Sequence, residues 1–557
     1  MEDMYFSWKE MPLVPPADVM QRRPAVLIIG AGPVGLATAL GLSHHGVESL
    51  VLETRDTISK GSRALAMNRR SMQILDQLGV GEQVLRQGLH WADGWTFYQD
   101  HLVHTMRLPQ PAHEKHGQTN LQQCWMEQLL LEALAQTGLA QVCYQHTVSG
   151  IMAHDDGVRV SVHTPAGDYQ LDAGYIVAAD GPRGMTRKWL GIDYEGTSYS
   201  QRFVINDIIC KQSLPEGRRL FFSPPYLPGK TVLMHKAPYD MWRLDFQLME
   251  DQDAETEMQP ERVHQRIRAH FDLMKLQPDY ELVLTSVYRA NALSLPTYNQ
   301  GRVLFAGDAA HQVPIFGGRG VNHGYEDAHN LAWKLAAVIK GAGTPALLDS
   351  YTQERRGALL DTLAELTRTT IFITTPSPGM SLVREAVLSL SIEENFVAKL
   401  FDPYASAPYD CVDSPLNATE AHSHSEDFGS RCRPGALAPD LAMPQGGSRL
   451  YDSLGPHFTV LQFGETNEDA QRQAADLTQS LSTPERVVKV LVVDSDGDAA
   501  TLYDARTGTC YLIRPDQRIA GRWRAAPTPV LQAALLRATG MPDQAAYGPQ
   551  TQSLEIA

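Results

Sequence analysis

The sequence predicts an α/β fold in which a parallel sheet, built around two glycine-rich strand-to-helix turns, is interrupted by an antiparallel sheet. Three observations predict it. An apolar run, Val26-Leu27-Ile28-Ile29, lands on Gly30-Ala31-Gly32-Pro33-Val34-Gly35 and then a helical stretch. A second run, Val303-Leu304-Phe305, lands on Gly307-Asp308 and another glycine-rich loop. Between them, from about Gln201 to Ser294, apolar and polar residues alternate. Short apolar runs bounded by glycine read as buried strands, and period-two alternation reads as a half-buried antiparallel sheet.

The chain has 557 residues, enough for several domains and a large core. With 43% apolar and 20% charged residues it reads as an ordinary soluble globular protein. A formal charge of −16 excludes general affinity for nucleic acid or anionic membrane. Cys124, Cys143, Cys210, Cys411, Cys432 and Cys510 form no C-x-x-C pair and no metal-ligand spacing, which fits thiols in a reducing cytoplasm. The N-terminal residues show no leader pattern. The one long apolar stretch, Val26 to Leu42, is broken by its glycines and Pro33, so it is strand plus helix and no membrane span.

The first turn carries the strongest signal. Helix-friendly residues from Leu36 close at His44, His45 and Gly46, and a strand from Ser49 to Leu52 ends on Glu53. Gly30 permits the tight turn, Gly32 lets backbone approach a diphosphate, and Gly35 lets helix and strand pack closely. The diphosphate would sit on the unpaired N–H groups and positive dipole end of the helix, and Glu53 would accept ribose hydroxyls. Strand, triplet, helix, strand and acid in register read as a dinucleotide site, either FAD or NAD.

The elements follow in order. Residues 1–23 form a proline-bearing arm, Arg55 to Arg70 is basic, and Ser71 to Leu78 is an amphipathic helix stopped by Gly79. Leu85 to Lys115, with Trp91, Trp95, Phe97 and Tyr98, reads as strands. Gln118 to Gln123 opens a helix over Cys124 to Gln136, where a glutamine could cap backbone or bond a cofactor's sugar chain. Strands are expected at Gln141 to His146, Val158 to His163 and Tyr169 to Ala178, the last running into Asp180-Gly181 with Arg183 and Arg187 beyond. A helix from Glu261 to Phe271 divides the alternating region. After Asp308 come His311, Pro314 and Gly317-Gly318-Arg319-Gly320, then a long helix from Val321 to Lys340. A second glycine-rich loop thus opens onto a second helix start, suited to negative charge on a ligand. Asp349 to Arg368 is helical, and Pro- and Ser-rich residues up to Gln445 read as a linker. A small α/β unit closes the chain, with strands at Phe458 to Phe463, Val487 to Val493 and Cys510 to Arg514 and helices at Glu468 to Leu481 and Pro529 to Ala538.

Together these signatures resemble the class A flavoprotein aromatic hydroxylases, the p-hydroxybenzoate hydroxylase superfamily. They are the Gly30-x-Gly32-x-x-Gly35 turn with Glu53, Asp180-Gly181 with Arg183 and Arg187, Gly307-Asp308-Ala309-Ala310-His311, and the helix opening at Asn322. Gln123 is similar to the family's FAD-contacting glutamine, and Arg63-Ala64 to its Arg-Ala pair beside the flavin. Tyr511 to Asp516 resembles the thioredoxin-like C-terminal domain of the phenol hydroxylase and hydroxyphenylpropionate hydroxylase branch, here without C-x-x-C. Four departures stand out: Ile315 follows Pro314 where the family has a second proline, Arg319 replaces glutamine, Gly184 replaces serine, and Leu65 stands near the position of the phenol branch's aspartate.

The resemblance implies a Rossmann-like FAD-binding domain (1–200 and 298–400), an inserted substrate domain (201–297), a linker (401–445) and a thioredoxin-like domain (446–557), with substrate-domain strands also near 90–118. It implies FAD held by Gly30, Gly32, Pro33, Gly35, Glu53, Arg63, Gln123, Asp180, Gly307, Asp308, Gly318, Gly320, Val321 and Asn322. It further implies that NAD(P)H reduces the flavin, that O2 is trapped as a C4a-hydroperoxide, and that one oxygen passes to a small phenolic ring. Arg319, Pro314 and His311 are the candidate catalytic residues, and His235, Tyr226, Arg243, Asp245 and Tyr288 are candidates to ionise the substrate. An oxidase, dehydrogenase or epoxidase on the same scaffold, or a flavin-binding protein without turnover, are the alternatives. A cytoplasmic homodimer without nucleic-acid or membrane partners is the remaining expectation.

Overall fold

The computed structural model describes residues 6–60, 64–109, 117–316, 318–394, 408–418, 428–443 and 448–541. The chain divides into two compact units, 1–329 with 359–407, and 330–358 with 408–557.

The first unit contains the expected parallel sheet. Its strands run in the order Asn299–Gln300, Val303–Phe305, Tyr175–Ala178, Val26–Ile29, Ser49–Glu53, Ala140–Tyr144, and all pairs are parallel except the edge pair Asn299–Gln300 with Val303–Phe305. Val26–Ile29 is buried along its whole length, as a strand covered on both faces must be. The following helix is Pro33–His44, three residues earlier than the expected start at Leu36, because Pro33 occupies its first turn. The amphipathic helix is Arg69–Gln77, capped by the Asn68 side chain on the Ser71 N–H.

Two expectations are corrected. The apolar run Tyr169 to Ala178 is two strands in different sheets, Tyr169–Ala173 and Tyr175–Ala178. They part at Gly174, whose missing Cβ would lie 2.8 Å from the Ala25 carbonyl oxygen. The antiparallel sheet is also not half-buried at its centre. Met241–Gln247 and Arg218–Phe222 are buried at every residue, because each face is covered. On one face Trp242, Leu244 and Phe246 pack with Val263, Ile267 and Phe271 of helix Pro260–Leu273. On the other, Phe203, Leu220, Phe222 and Leu233 pack with Phe316, Ile373 and Leu388.

That sheet has eight strands, antiparallel at every pair except Arg218–Phe222 with Asp93–Tyr98, which is parallel. Their order is His311–Gln312, Glu281–Ser294, Glu195–Ile209, Met241–Gln247, Thr231–Lys236, Arg218–Phe222, Asp93–Tyr98, His101–Arg107. The strand Val303–Phe305 of the parallel sheet is followed by a turn of 3-10 helix, Gly307–Ala309, and then by the edge strand His311–Gln312 of this one. One short segment therefore belongs to both sheets.

In the second unit a four-stranded sheet runs Val488–Asp494, Phe458–Gly464, Cys510–Ile513, Ile519–Trp523, with helices Glu468–Leu481 and Thr528–Ala538. Part of the Pro- and Ser-rich stretch packs within this unit, since Cys411, Leu416, Cys432, Ala438 and Leu441 are buried. All six cysteines are free and buried.

Candidate active site

The three glycines of the first turn do different work. A Cβ on Gly30 would lie 2.4 Å from the Ala179 carbonyl oxygen, and its φ of +105° is one that side-chain-bearing residues rarely adopt. A Cβ on Gly35 would lie 2.0 Å from the Gly30 carbonyl oxygen. Around Gly32 nothing lies within 4 Å of that position, so no protein atom requires the glycine. The space it opens stands at the N-terminus of helix Pro33–His44, where backbone N–H groups have no intrahelical acceptor.

Glu53 is buried at the end of its strand. One carboxylate oxygen accepts from the Ala31 N–H at 2.7 Å, and the other from the Arg55 N–H and Nε, both at 2.9 Å. Burial would raise its pKa, but the Arg55 guanidinium holds it below the usual carboxylate value. Gln123 opens helix Gln123–Thr137, accepts from the Ala64 N–H at 3.3 Å and donates to Glu127 at 2.8 Å. Glu127 in turn accepts from the Ser59 N–H and hydroxyl at 2.9 and 2.6 Å. Arg63 and Gly317 lie outside the described residues.

The second turn lies against the first. Val34, in the first turn of helix Pro33–His44, fills the space a Cβ would take on both Gly307 (2.9 Å) and Gly324 (2.4 Å). The first turn, the Gly307 turn and the opening turns of helix Gly320–Ile339 thus meet at one side chain. Asp308 is partly buried, and its carbonyl accepts from the Tyr194 hydroxyl at 2.7 Å. The loop is fixed by Asp327, wholly buried, which accepts from the Gly307 N–H at 3.0 Å and pairs with His311 Nε2 at 2.6 Å. Asn322 accepts from the Asn68 N–H at 2.9 Å and the Ser71 hydroxyl at 2.6 Å, and donates to the Ala66 carbonyl at 3.0 Å and to the Gly318 carbonyl. Its side chain is committed to protein, so a ligand would meet its backbone, with Gly320 and Val321, at the start of helix Gly320–Ile339. Arg319 precedes that helix and is partly exposed. Pro314 is buried beside Val313, whose carbonyl accepts from the Tyr288 hydroxyl at 3.0 Å. Asp180 accepts from the Thr186 N–H at 3.0 Å, with burial raising its pKa. Gly184 leaves it room, since a Cβ there would lie 2.2 Å from the carboxyl carbon.

The five candidate substrate-ionising residues separate by face. Tyr226 bonds His270 at 2.7 Å, on the side covered by helix Pro260–Leu273. Tyr288, Arg243, Asp245 and His235 lie on the opposite side, the one reached by Phe316, whose ring is 5.4 Å from that of Phe203. Tyr288 is bonded to the Pro314 loop, and Arg243 is bound at 2.8 and 2.9 Å to both oxygens of buried Asp207. Burial, reinforced by Arg218 and Arg243, pushes the His235 pKa down to about 3, leaving a neutral, weakly basic ring.

Residues 23–364 match the family described as FAD binding domain. The chain belongs to that family. Residues 431–542 match a second family, described as aromatic-ring hydroxylase, C-terminal. A 3-(3-hydroxy-phenyl)propionate/3-hydroxycinnamic acid hydroxylase of Mycolicibacterium smegmatis is 28% identical over 539 residues, 92% of each chain. Its namesake in Mycobacterium avium is 27% identical over 552 residues, again 92% of each. Among solved structures, the flavin-dependent monooxygenase PieE in complex with FAD and substrate has TM-score 0.80 at 22% identity, covering 94% of this chain and all of that one. Aklavinone-11 hydroxylase with FAD and aklavinone has TM-score 0.74 at 25% identity, covering 93% of this chain and 99% of that one.

This flavoprotein is an oxidoreductase of the aromatic-hydroxylase kind, using FAD, NAD(P)H and O2 on an aromatic substrate. Its residues fit FAD on their own geometry: an open space over Gly32 at one helix start, a second helix start joined to it by Val34, and carboxylates Glu53 and Asp308 at strand ends. Among the described residues no helix is long and apolar enough to cross a membrane. Sequence reading missed Asp327, Arg55, Glu127 and Asp207. Asp327 lies five residues into the helix opening at Asn322, whereas Glu127 and Asp207 gain their partners only through the fold.

Proposed function

We propose that this flavoprotein hydroxylates a phenolic ring held between the eight-stranded sheet and the Pro314 loop. The observation that carries the reading is Val34 wedged against Gly307 and Gly324, so that the opening turns of both helices meet at one side chain, as a dinucleotide shared between them would require. When bound, FAD would supply the chemistry, accepting reducing equivalents from NAD(P)H and activating O2 for transfer to the ring. The N–H groups above Gly32 and at the start of helix Pro33–His44 would take the diphosphate, with Gly30 and Gly35 keeping the turn tight. Glu53 and Asp308 would accept sugar-chain hydroxyls, with Gln123 and Asp180 nearby. The Gly320 end of the second helix, with Arg319, would stabilise negative charge on the flavin ring. His311 serves the loop through Asp327, and Pro314 shapes the wall that keeps water from the ring. A cytoplasmic homodimer belongs to the same proposal, and the six buried free cysteines support the reducing compartment.

The test is NAD(P)H oxidation, O2 uptake and product formation over a panel of phenols that includes 3-(3-hydroxyphenyl)propionate. Ring-dependent consumption with oxygenated product supports the reading, and turnover without oxygenated product sinks it. Two variants refine the roles. Asp308→Ala is expected to purify colourless, and full flavin stoichiometry would remove Asp308 from the cofactor's grip. Arg319→Ala is expected to keep FAD but to lower the rate of flavin reduction or hydroxylation about ten- to a hundredfold. Unchanged kinetics would place Arg319 outside the site.

A further inference from the structure

Buried carboxylates in the first unit are satisfied with one exception. Glu53, Glu127, Asp207 and Asp327 each accept bonds from backbone or side chains. Asp245 is 5% exposed, yet its Oδ1 has no hydrogen-bond partner, and among the described residues no other buried carboxylate oxygen is in that position. A buried polar atom without a partner costs free energy, so an orphan of this kind calls for an occupant.

Its place in the sheet says where that occupant would be. Asp245 pairs directly with Ile205 on one side and Leu233 on the other, so the three side chains share a face. Leu233 packs in the cluster that holds Phe316 and Ile315, the residues that follow Pro314. The face is thus the one turned toward the Pro314 loop. Two residues back along the strand, Arg243 lies on the same face in a row with Asp207, His235 and Arg218. Arg243 is chelated by Asp207, whose charge offsets part of the pull of the guanidinium on Asp245. Tyr288, from the strand beyond Glu195–Ile209, gives its hydroxyl to Val313. The loop side contributes the uncharged Ile315 and Phe316.

We propose that Asp245 is the catalytic base that ionises the substrate. The phenolic O–H bond breaks, the proton passes to Asp245 Oδ1, and the electron pair stays on the phenol oxygen, making the ring electron-rich for oxygen transfer. This assignment rests on the phenol-hydroxylase reading and completes it. Burial pushes the Asp245 pKa up to about 7; Arg243 pulls the other way, and the Asp207 charge adds a smaller push upward. A base of that strength is half-ionised near neutrality, where acceptance and return of a proton are both easy. Asp245 must be ionised to act, so activity is present above about 7 and lost as pH falls through it.

The test uses the holoenzyme and the phenol of the panel that gives most product. Asp245→Asn is expected to lower kcat about 10²- to 10⁴-fold with flavin content unchanged. It should also abolish the inflection near pH 7 in the pH–rate profile, and Asp245→Glu should restore that inflection in part. A kcat within about threefold of wild type, with the inflection intact, would overturn the assignment. If no phenol is hydroxylated by flavin-loaded wild type, the hydroxylase reading itself fails, a result separate from this one. Should Asp245→Asn not fold, the wild-type holoenzyme decides. The ultraviolet phenolate band of the bound phenol should appear as pH rises through 7 with no proton released to a weakly buffered medium, and release of a proton with each phenol bound would refute the transfer.

Discussion

Gly32→Ala is expected to give a stable, correctly folded protein that does not hold FAD, whereas Gly35→Ala is expected to lose the fold of the first unit along with it. The two glycines sit three positions apart in one turn, and only their surroundings differ. At Gly35 the new methyl would stand 2.0 Å from the Gly30 carbonyl oxygen, which is backbone and cannot turn aside. Helix Pro33–His44 would have to lift from strand Val26–Ile29, and the helix is buried from Gly35 to Ser43. Overpacking of this kind costs about 3 kcal/mol or more where the obstacle is rigid. At Gly32 the same methyl meets no protein atom within 4 Å, so stability should stay within about 0.5 kcal/mol of wild type. What it would meet is a diphosphate approaching the helix start. Denaturant midpoints and flavin-to-protein ratios of both variants check this. A Gly32→Ala protein that is fully yellow would show that the diphosphate lies elsewhere.

Glu354→Gln is expected to destabilise the second unit by about 3–5 kcal/mol, because it strands buried cations. Glu354 accepts from Lys334 Nζ at 2.7 Å, from Asn330 Nδ2 at 2.8 Å, and from Arg514 at 2.5 and 2.9 Å. Lys334, Glu354 and Arg514 have no exposed side-chain surface. Asp516 balances part of the charge through Arg514 Nε at 2.9 Å. Burial alone would raise the Glu354 pKa, but Arg514 and Lys334 hold it well below the ordinary 4.5. A carboxylate depressed in the folded state contributes stability that is fully present above its unfolded value and is lost as pH falls through the folded one. Wild type should therefore lose stability in acid below about pH 4.5, and Glu354→Gln should show a shallower acid limb. Urea midpoints of the full chain from pH 3 to pH 8 measure both effects. An unshifted midpoint at pH 7 would mean that the amide and its neighbours rearrange without cost.

The glycine turn and the Glu354 cluster differ in how far the sequence shows them. The first turn could be read directly, because a diphosphate-binding loop needs strand, glycines and helix within a few consecutive residues, and local geometry is written in local sequence. The second turn and its helix were legible for the same reason, as was the alternating pattern that marks a sheet. The Glu354 cluster was not, since Lys334, Glu354 and Arg514 come from three separate segments and nothing local marks them as partners. The break at Gly174 was missed because a continuous apolar run does not show that its halves join different sheets. The full burial of Met241–Gln247 was missed because alternation cannot say whether a second layer covers the polar face.

The sequence by itself determined the dinucleotide-type fold and its two glycine-rich loops, because those depend on contacts between near neighbours along the chain. Only the tertiary structure decided which of the five candidate side chains lie on the face toward the Pro314 loop and which of those has an unmatched oxygen. It set Tyr226 beneath helix Pro260–Leu273, bound Arg243 to Asp207, and left Asp245, between Ile205 and Leu233, with an unmatched oxygen. Strand register and the covering of each face set those outcomes, and both are fixed by pairings between segments distant in sequence.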